Sequence, residues 1–462
     1  MSILAGFMVP HPPLIVPAIG KGEEAQIKET TAAYEEVARQ IAELEPDTII
    51  ISSPHSIMYA DYFHISPGKE ASGDFSGFRA PQITFEEKYD TELVDLLCDL
   101  SDQEGLPAGI LGERDPDLDH GTMVPLWFIR QQYKKGRIVR IGLSGLDLPK
   151  HYKLGMLIKE ACDALDRKAV FVASGDLSHK LQEYGPYGFA SEGPEYDRRI
   201  MDVCSRAAFN ELFDFSEDFC DKAAECGHRS FVIMAGAFDG LSVKAEELSH
   251  QDVTGVGYGI CTFYPLGKDE NRHFLKQHED ELIRKLTEKK SKSDAYVNLA
   301  RYAIESYVLT GKRPVLPEGL PEEMLTNKAG TFVSIHENDR LRGCIGTIRP
   351  TKANIAQEIV SNAISACAYD NRFIPVKAEE LPYLEINVDV LGEAEDIESK
   401  EELDVKRYGV IVSNGNRLGL LLPDLEGVDT VEQQIRIAAQ KGRIDPDEED
   451  YHLQRFEVIR HE

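Results

Sequence analysis

Basic residues are scarce in this chain: 51 Lys and Arg stand against 80 Asp and Glu in 462 residues, a net charge of −29. Such a surface repels phosphate backbones and anionic bilayers, so neither nucleic acid nor membrane is an expected partner unless a local basic patch exists. The nearest candidate, KLTEKKSK at 285–292, is short and lies beside acidic residues. No stretch approaches the roughly 20 apolar residues that a spanning helix needs. The N-terminus lacks the basic n-region of a signal peptide and is broken by prolines. The eight cysteines (98, 162, 204, 220, 226, 261, 344 and 367) form no CxxC pair. That argues against a disulfide framework or a zinc knuckle and fits a reducing, cytoplasmic setting. No internal repeat is apparent.

What remains is a 42% hydrophobic, 28% charged composition, that of a globular chain. Its length calls for two domains, or three. Up to about residue 265, short β-rich apolar runs (Ile3–Val9, 48–52, 138–143, 169–173 and 258–264) alternate with helical patterns at 23–44, 90–100, 152–165 and 196–210. That alternation predicts an α/β domain at 1–266 with a largely parallel sheet flanked by helices. Residues 267–293 are almost wholly polar and are expected to be a linker, partly helical because Glu279, Leu282, Ile283 and Leu286 keep helical spacing. Residues 294–462 mix helical patterns (295–309, 354–368, 430–440) with strand-like runs (331–335, 385–391, 409–413, 418–422), which predicts a smaller α+β domain.

Histidines gather at the ends of the first-half strands. In MVPHPPL, His11 is hemmed in by Pro10, Pro12 and Pro13; in SPHS, His55 follows a proline; in SGDLSH, His179 follows a glycine-containing turn. Functional groups of open α/β sheets collect beyond the carboxyl ends of the strands. These three therefore converge, and the prolines restrict the backbone around a rigid ligand. His120, in DHGTMVPL, sits in a loop rich in Asp and Gly. Any one of 13 histidines is ordinarily a surface or hydrogen-bonded residue; four in such positions point to a site. A divalent metal also wants an anionic donor, and two His with one carboxylate is the usual Fe(II) arrangement. ECGHRSFVIMAGA offers Glu225 or Cys226; adjacent residues diverge by about 100° on a helical turn, so one of the two faces the metal.

Together, MVPHPPL, SPHS, DHGTMVPL, SGDLSH and ECGHRSFVIMAGA resemble the class III extradiol dioxygenase B-subunit (LigB-like) superfamily, and within it the Memo branch, over about the first 265 residues. The resemblance implies an oxidoreductase with Fe(II), or alternatively copper or zinc, held by His11, His55 and the Glu225/Cys226 position. It also implies His179 as acid/base, His120 lining the substrate and oxygen side, and a small aromatic substrate. The Memo-type pattern has C-G where dioxygenases carry the glutamate, and ECGH fits it through Cys226. A thiolate is softer than a carboxylate and suits iron, copper or zinc.

In the second half, LRGCIG at 341–346 brackets a cysteine with glycines. On an extended strand Arg342 and Cys344 share a side, where the guanidinium favours a thiolate; packing of a strand edge is an equal reading. In LEINVDVL, Glu385, Asn387 and Asp389 alternate and give one polar face. LRGCIG, YDNRFIPV and YGVIVSNGNRLGLLLP resemble the AMMECR family from about 294 to the C-terminus, which implies an α+β fold and a candidate site around Arg342 and Cys344. Memo-like and AMMECR-like proteins are grouped with a radical-SAM protein in the AmmeMemoRadiSam system. This chain has no CxxxCxxC motif, so that activity would belong to a separate partner. Three readings follow: a metal-dependent, dioxygenase-like oxidoreductase, a metal-binding scaffold serving such a partner, and a zinc hydrolase using the same ligands.

Overall fold

The structure, a computed structural model, describes residues 2–338, 340–425 and 427–462. It falls into two units, 1–279 and 280–462. In the first, six strands form one sheet: β1 (Ile3–Val9), β2 (Thr48–Ser53), β3 (Arg137–Gly142), β4 (Ala169–Ser174), β5 (Leu241–Gln251) and β6 (Tyr258–Lys268). Their order is β3-β2-β4-β1-β6-β5; the first four are parallel, and β6 and β5 continue antiparallel.

β2 and β4 are buried throughout and β1 nearly so. This is why they read as unbroken apolar runs and not as alternating ones: helices cover both faces of the sheet. One face receives α1 (Lys28–Leu44), whose Tyr34, Val37, Ala38 and Ile41 keep helical spacing, together with α2 (His120–Gln132). The other receives α3 (Leu148–Ala164) and α4 (His228–Gly236). Each buried Phe or Ile here contributes on the order of 1.5–3 kcal/mol.

The polar stretch after β6 is structured. Asp239 accepts hydrogen bonds from the Phe274 amide (2.9 Å) and the His273 ring (2.8 Å), and Phe274 and Leu275 are buried in the first core. Helix α5 (Phe274–Lys292) follows, and the division between the units falls within it. The reach of this apolar foothold was hidden by the surrounding charges.

In the second unit, α6 (Ala295–Thr310) and α7 (Ile355–Ala368) pack on a four-stranded antiparallel sheet. Its strands are β7 (Thr331–Glu337), β8 (Arg340–Gly346), β9 (Leu384–Leu391) and a C-terminal strand at Val458–His461. A second four-stranded antiparallel sheet contains Glu395–Ile397, β10 (Gly409–Asn414), β11 (Arg417–Leu421) and His452–Phe456, with α8 (Val431–Lys441) against it. The α/β plus α+β organisation read from the sequence is the one observed. No helix among the described residues is long and apolar enough to cross a membrane.

Candidate metal centre

Register sets the height of the site. Val9 of β1 pairs with Ser174 of β4, and Ala173 of β4 with Ser52 of β2, so the chain leaves three adjacent parallel strands at one level. His11, His55 and Asp176 each lie two residues past a strand end. The Tyr34 hydroxyl donates to the Pro10 carbonyl, which fastens the His11 turn to α1.

His11 Nε2 lies 3.0 Å from His55 Nε2 and 3.6 Å from Cys226 Sγ; the ligand atoms of all three residues fall within 4.8 Å of one another. Imidazole nitrogen binds zinc-like ions at about 2.0–2.1 Å and thiolate sulfur at about 2.3 Å, so donors sharing one ion stand roughly 3–3.6 Å apart. The two spacings that His11 makes fall in that range. The tautomer fits as well. Ser174 Oγ donates to the Gly121 carbonyl (2.6 Å) and thus accepts from His11 Nδ1 (3.0 Å), which leaves the Nε2 lone pair facing the cluster. Such an outer hydrogen bond is how metal-binding imidazoles are ordinarily oriented.

Cys226 is placed by close backbone packing. A Cβ on Gly175 would come 2.1 Å from Gly227 Cα, so only two glycines let the β4 turn and the turn before α4 touch. There the Asp176 amide donates to Cys226 Sγ (3.3 Å). Glu225 turns away. Ala224 takes a left-handed conformation, and the Glu225 carboxylate accepts from the His228 amide (2.6 Å) and, more distantly, the Tyr196 hydroxyl (3.5 Å). The structure therefore brings Cys226, and not Glu225, to the two histidines.

His120 is the first residue of α2 and not a loop residue; Asp119 caps the helix by accepting from the Thr122 amide (3.0 Å). Asp119 also accepts from Ser53 Oγ (2.5 Å), which ties α2 to the end of β2. Gly121 permits this approach, since a Cβ there would lie 2.4 Å from Ser53 Oγ. The His120 ring ends 4.0 Å from that of His55 and 5.4 Å from that of His11, centre to centre. The half-buried His179 stacks on Tyr187 at 5.0 Å. His11 is buried, Cys226 half-buried and His55 exposed, so the cluster opens to solvent on the His55 side.

Electrostatics keep the imidazoles neutral. Burial, then the neighbouring His55, lowers His11 to about 3; burial, then His55 and His11, lowers His120 to about 3. Burial also lowers His55 and His179. Burial, with the Asp176 and Glu225 carboxylates nearby, pushes the Cys226 thiol well above its ordinary range. A divalent cation among these donors supplies the charge that reverses this shift. Asp176, raised by burial to about 6, accepts from the His11 amide (2.8 Å). It escaped the sequence reading although it stands inside SGDLSH, two residues past a strand, as His11 and His55 do.

In the second unit Arg342 and Cys344 do not share a face. Ile335 pairs with Gly343 and His336 with Leu341, so Arg342 is the extra residue of a β-bulge. The bulge resets the alternation: Arg342 pairs with Glu380 (2.8 Å), while Cys344 faces the opposite side and accepts from Ser334 Oγ (3.2 Å). The expectation that Arg342 activates the thiol is thereby corrected.

Neutral imidazoles and a thiol beyond the carboxyl ends of adjacent parallel strands define an α/β protein with a candidate mononuclear metal centre. The family model described as the catalytic LigB subunit of aromatic ring-opening dioxygenase matches residues 5–261, and that of AMMECR1 matches residues 297–461. The chain belongs to the LigB family, is related through it to the extradiol dioxygenases, and carries an AMMECR1 domain behind it. A protein of Clostridium acetobutylicum is 42% identical over 100% of this chain and 99% of its own length, so the two-part arrangement is shared. A Thermotoga maritima protein is 50% identical over 36% of this chain and 96% of its own. The 2-aminophenol 1,6-dioxygenase beta subunit of a Pseudomonas species is 26% identical over 56% of this chain and 93% of its own.

Proposed function

We propose that the first unit is a non-haem, metal-dependent oxidoreductase of the extradiol type, with His11, His55 and Cys226 holding Fe(II) and a small aromatic diol or aminophenol as substrate. The observation that carries this is the three-residue cluster at the strand ends of a LigB-family domain. Bound there, the metal supplies Lewis acidity and one-electron chemistry that the side chains lack. The chain's own residues do the rest. Ser174 fixes the His11 tautomer, and the Gly175–Gly227 contact holds the sulfur in place. His179, neutral and half-buried, takes a proton from the substrate hydroxyl and returns it. His120 lines the open side beside His55.

The test is turnover of 2-aminophenol or catechol under oxygen by iron-loaded protein. Ring cleavage is expected, and His179→Gln is expected to lose 10²–10⁴-fold in rate, the range of a general acid/base, while keeping its metal. Absence of turnover in fully loaded protein would contradict the proposal.

Cysteine at the third position favours a second reading, in which a Memo-type scaffold holds iron, copper or zinc for a separate radical-SAM partner in the cytoplasm. Metal-loaded protein that is inert toward aromatics but retained by such a partner would decide for it.

A further inference from the structure

The second unit contains a cavity of about 640 Å³ that plays no part in the metal centre. Its floor is the face of the β7-β8-β9 sheet opposite α6 and α7. Strand alternation builds it: Val333, Ile335, Ile386 and Val388 face the core, while Ser334, Cys344, Asn387 and Asp389 face the cavity. The polar face of LEINVDVL is thus the floor of a site and not merely a wet surface. The opposite wall is apolar, formed by Leu418, Leu420 and Leu422 around β11.

Charge distinguishes this cavity from the rest of the molecule. In a chain of net charge −29, its lining carries three cations, Arg372, Lys441 and Arg460, against one carboxylate, Asp389. Two of the cations are engaged: Arg372 pairs with Asp370 (2.6 Å) and Arg460 with Asp389 (2.9 Å). Lys441, exposed at the end of α8, has no hydrogen-bond or ion-pair partner among the described residues. On the floor, Asn387 Oδ1 is shielded from solvent without a hydrogen-bond donor. The Cys344 thiol also lines the cavity and accepts from Ser334, which stands between it and Asn387 on the floor. Its own backbone is held by Asp370, which accepts from the Cys344 amide (2.9 Å), and by Arg372, which donates to the Cys344 carbonyl (2.9 Å). An unpaired ammonium, an undonated amide oxygen, an apolar wall and a fixed thiol together specify a ligand.

We propose that this cavity binds a small organic carboxylate, its charge on Lys441, its apolar body against the leucine wall and an N–H or O–H donor on Asn387 Oδ1, so that the bound molecule covers the Cys344 thiol. The site is built wholly from the second unit and stands or falls independently of the metal centre.

Alkylation of the full-length protein tests it. With iodoacetate or iodoacetamide, the Cys344 sulfur forms a C–S bond as the C–I bond breaks; iodide leaves with the electron pair and the thiol proton passes to water. Peptide mass spectrometry gives the rate at Cys344 for each reagent. The iodoacetate-to-iodoacetamide ratio, which cancels any change in the thiolate fraction common to both reagents, is expected to fall roughly fivefold in Lys441→Gln, the scale of one solvent-exposed charge pair. In the wild type, 4-hydroxybenzoate at millimolar concentration is expected to protect Cys344 from iodoacetamide saturably, and 4-hydroxybenzamide is not. An unchanged ratio in Lys441→Gln, or equal protection by acid and amide, would overturn the proposal.

Discussion

Purified without oxygen, His11→Ala is expected to retain less than about one tenth of the wild-type metal, because even outer-shell partners of metal ligands are worth about 10–100-fold in affinity and His11 is the proposed ligand through which the cluster is joined. Its Nε2 is the atom within 3.6 Å of both His55 and Cys226. Its ring is buried and aimed by Ser174, so a solvent molecule cannot reproduce the donor in the same place. Elemental analysis alongside circular dichroism reads the result: metal lost and helix content kept. Wild-type metal content in folded His11→Ala protein would remove the residue from the site.

Gly175→Ala carries the largest expected effect on stability. The added Cβ would meet Gly227 Cα at 2.1 Å, backbone against backbone, where no flexible side chain can yield. Overpacking of this kind costs about 1–3 kcal/mol and occasionally more. At roughly 2–4 °C per kcal/mol for a domain of this size, the midpoint of thermal unfolding should drop by roughly 2–12 °C. Because the same contact sets the Cys226 sulfur against Asp176, metal affinity should fall with it. Gly77→Ala, which places its Cβ where nothing lies within 4 Å, is the control and should leave both unchanged. Equal melting of the two variants would show that the two turns are not held together by this contact.

Most of the fold and part of the site were legible in the sequence, for physical reasons. Strands buried on both faces leave unbroken apolar runs, as at Ile3–Val9, so their carboxyl ends, and the histidines just beyond, can be located by inspection. What depends on a single backbone torsion or register step cannot. Whether Glu225 or Cys226 enters the cluster is decided by the left-handed turn at Ala224 and the glycine contact across from it, which no periodicity reports. Arg342 was assigned to the face of Cys344 because alternation has no mark for a bulge. The strands at His452–Phe456 and Val458–His461 leave little trace in the sequence because they are short and their burial does not alternate. Asp176 stood within a recognised motif, yet its burial against the His11 amide is a tertiary fact.

The most direct test of the metal centre is anaerobic elemental analysis of freshly purified wild type beside Cys226→Ser and Glu225→Gln. Near one equivalent of iron in the wild type and in Glu225→Gln, lost in Cys226→Ser, is the predicted result. Metal that survives in Cys226→Ser and disappears in Glu225→Gln would contradict the account.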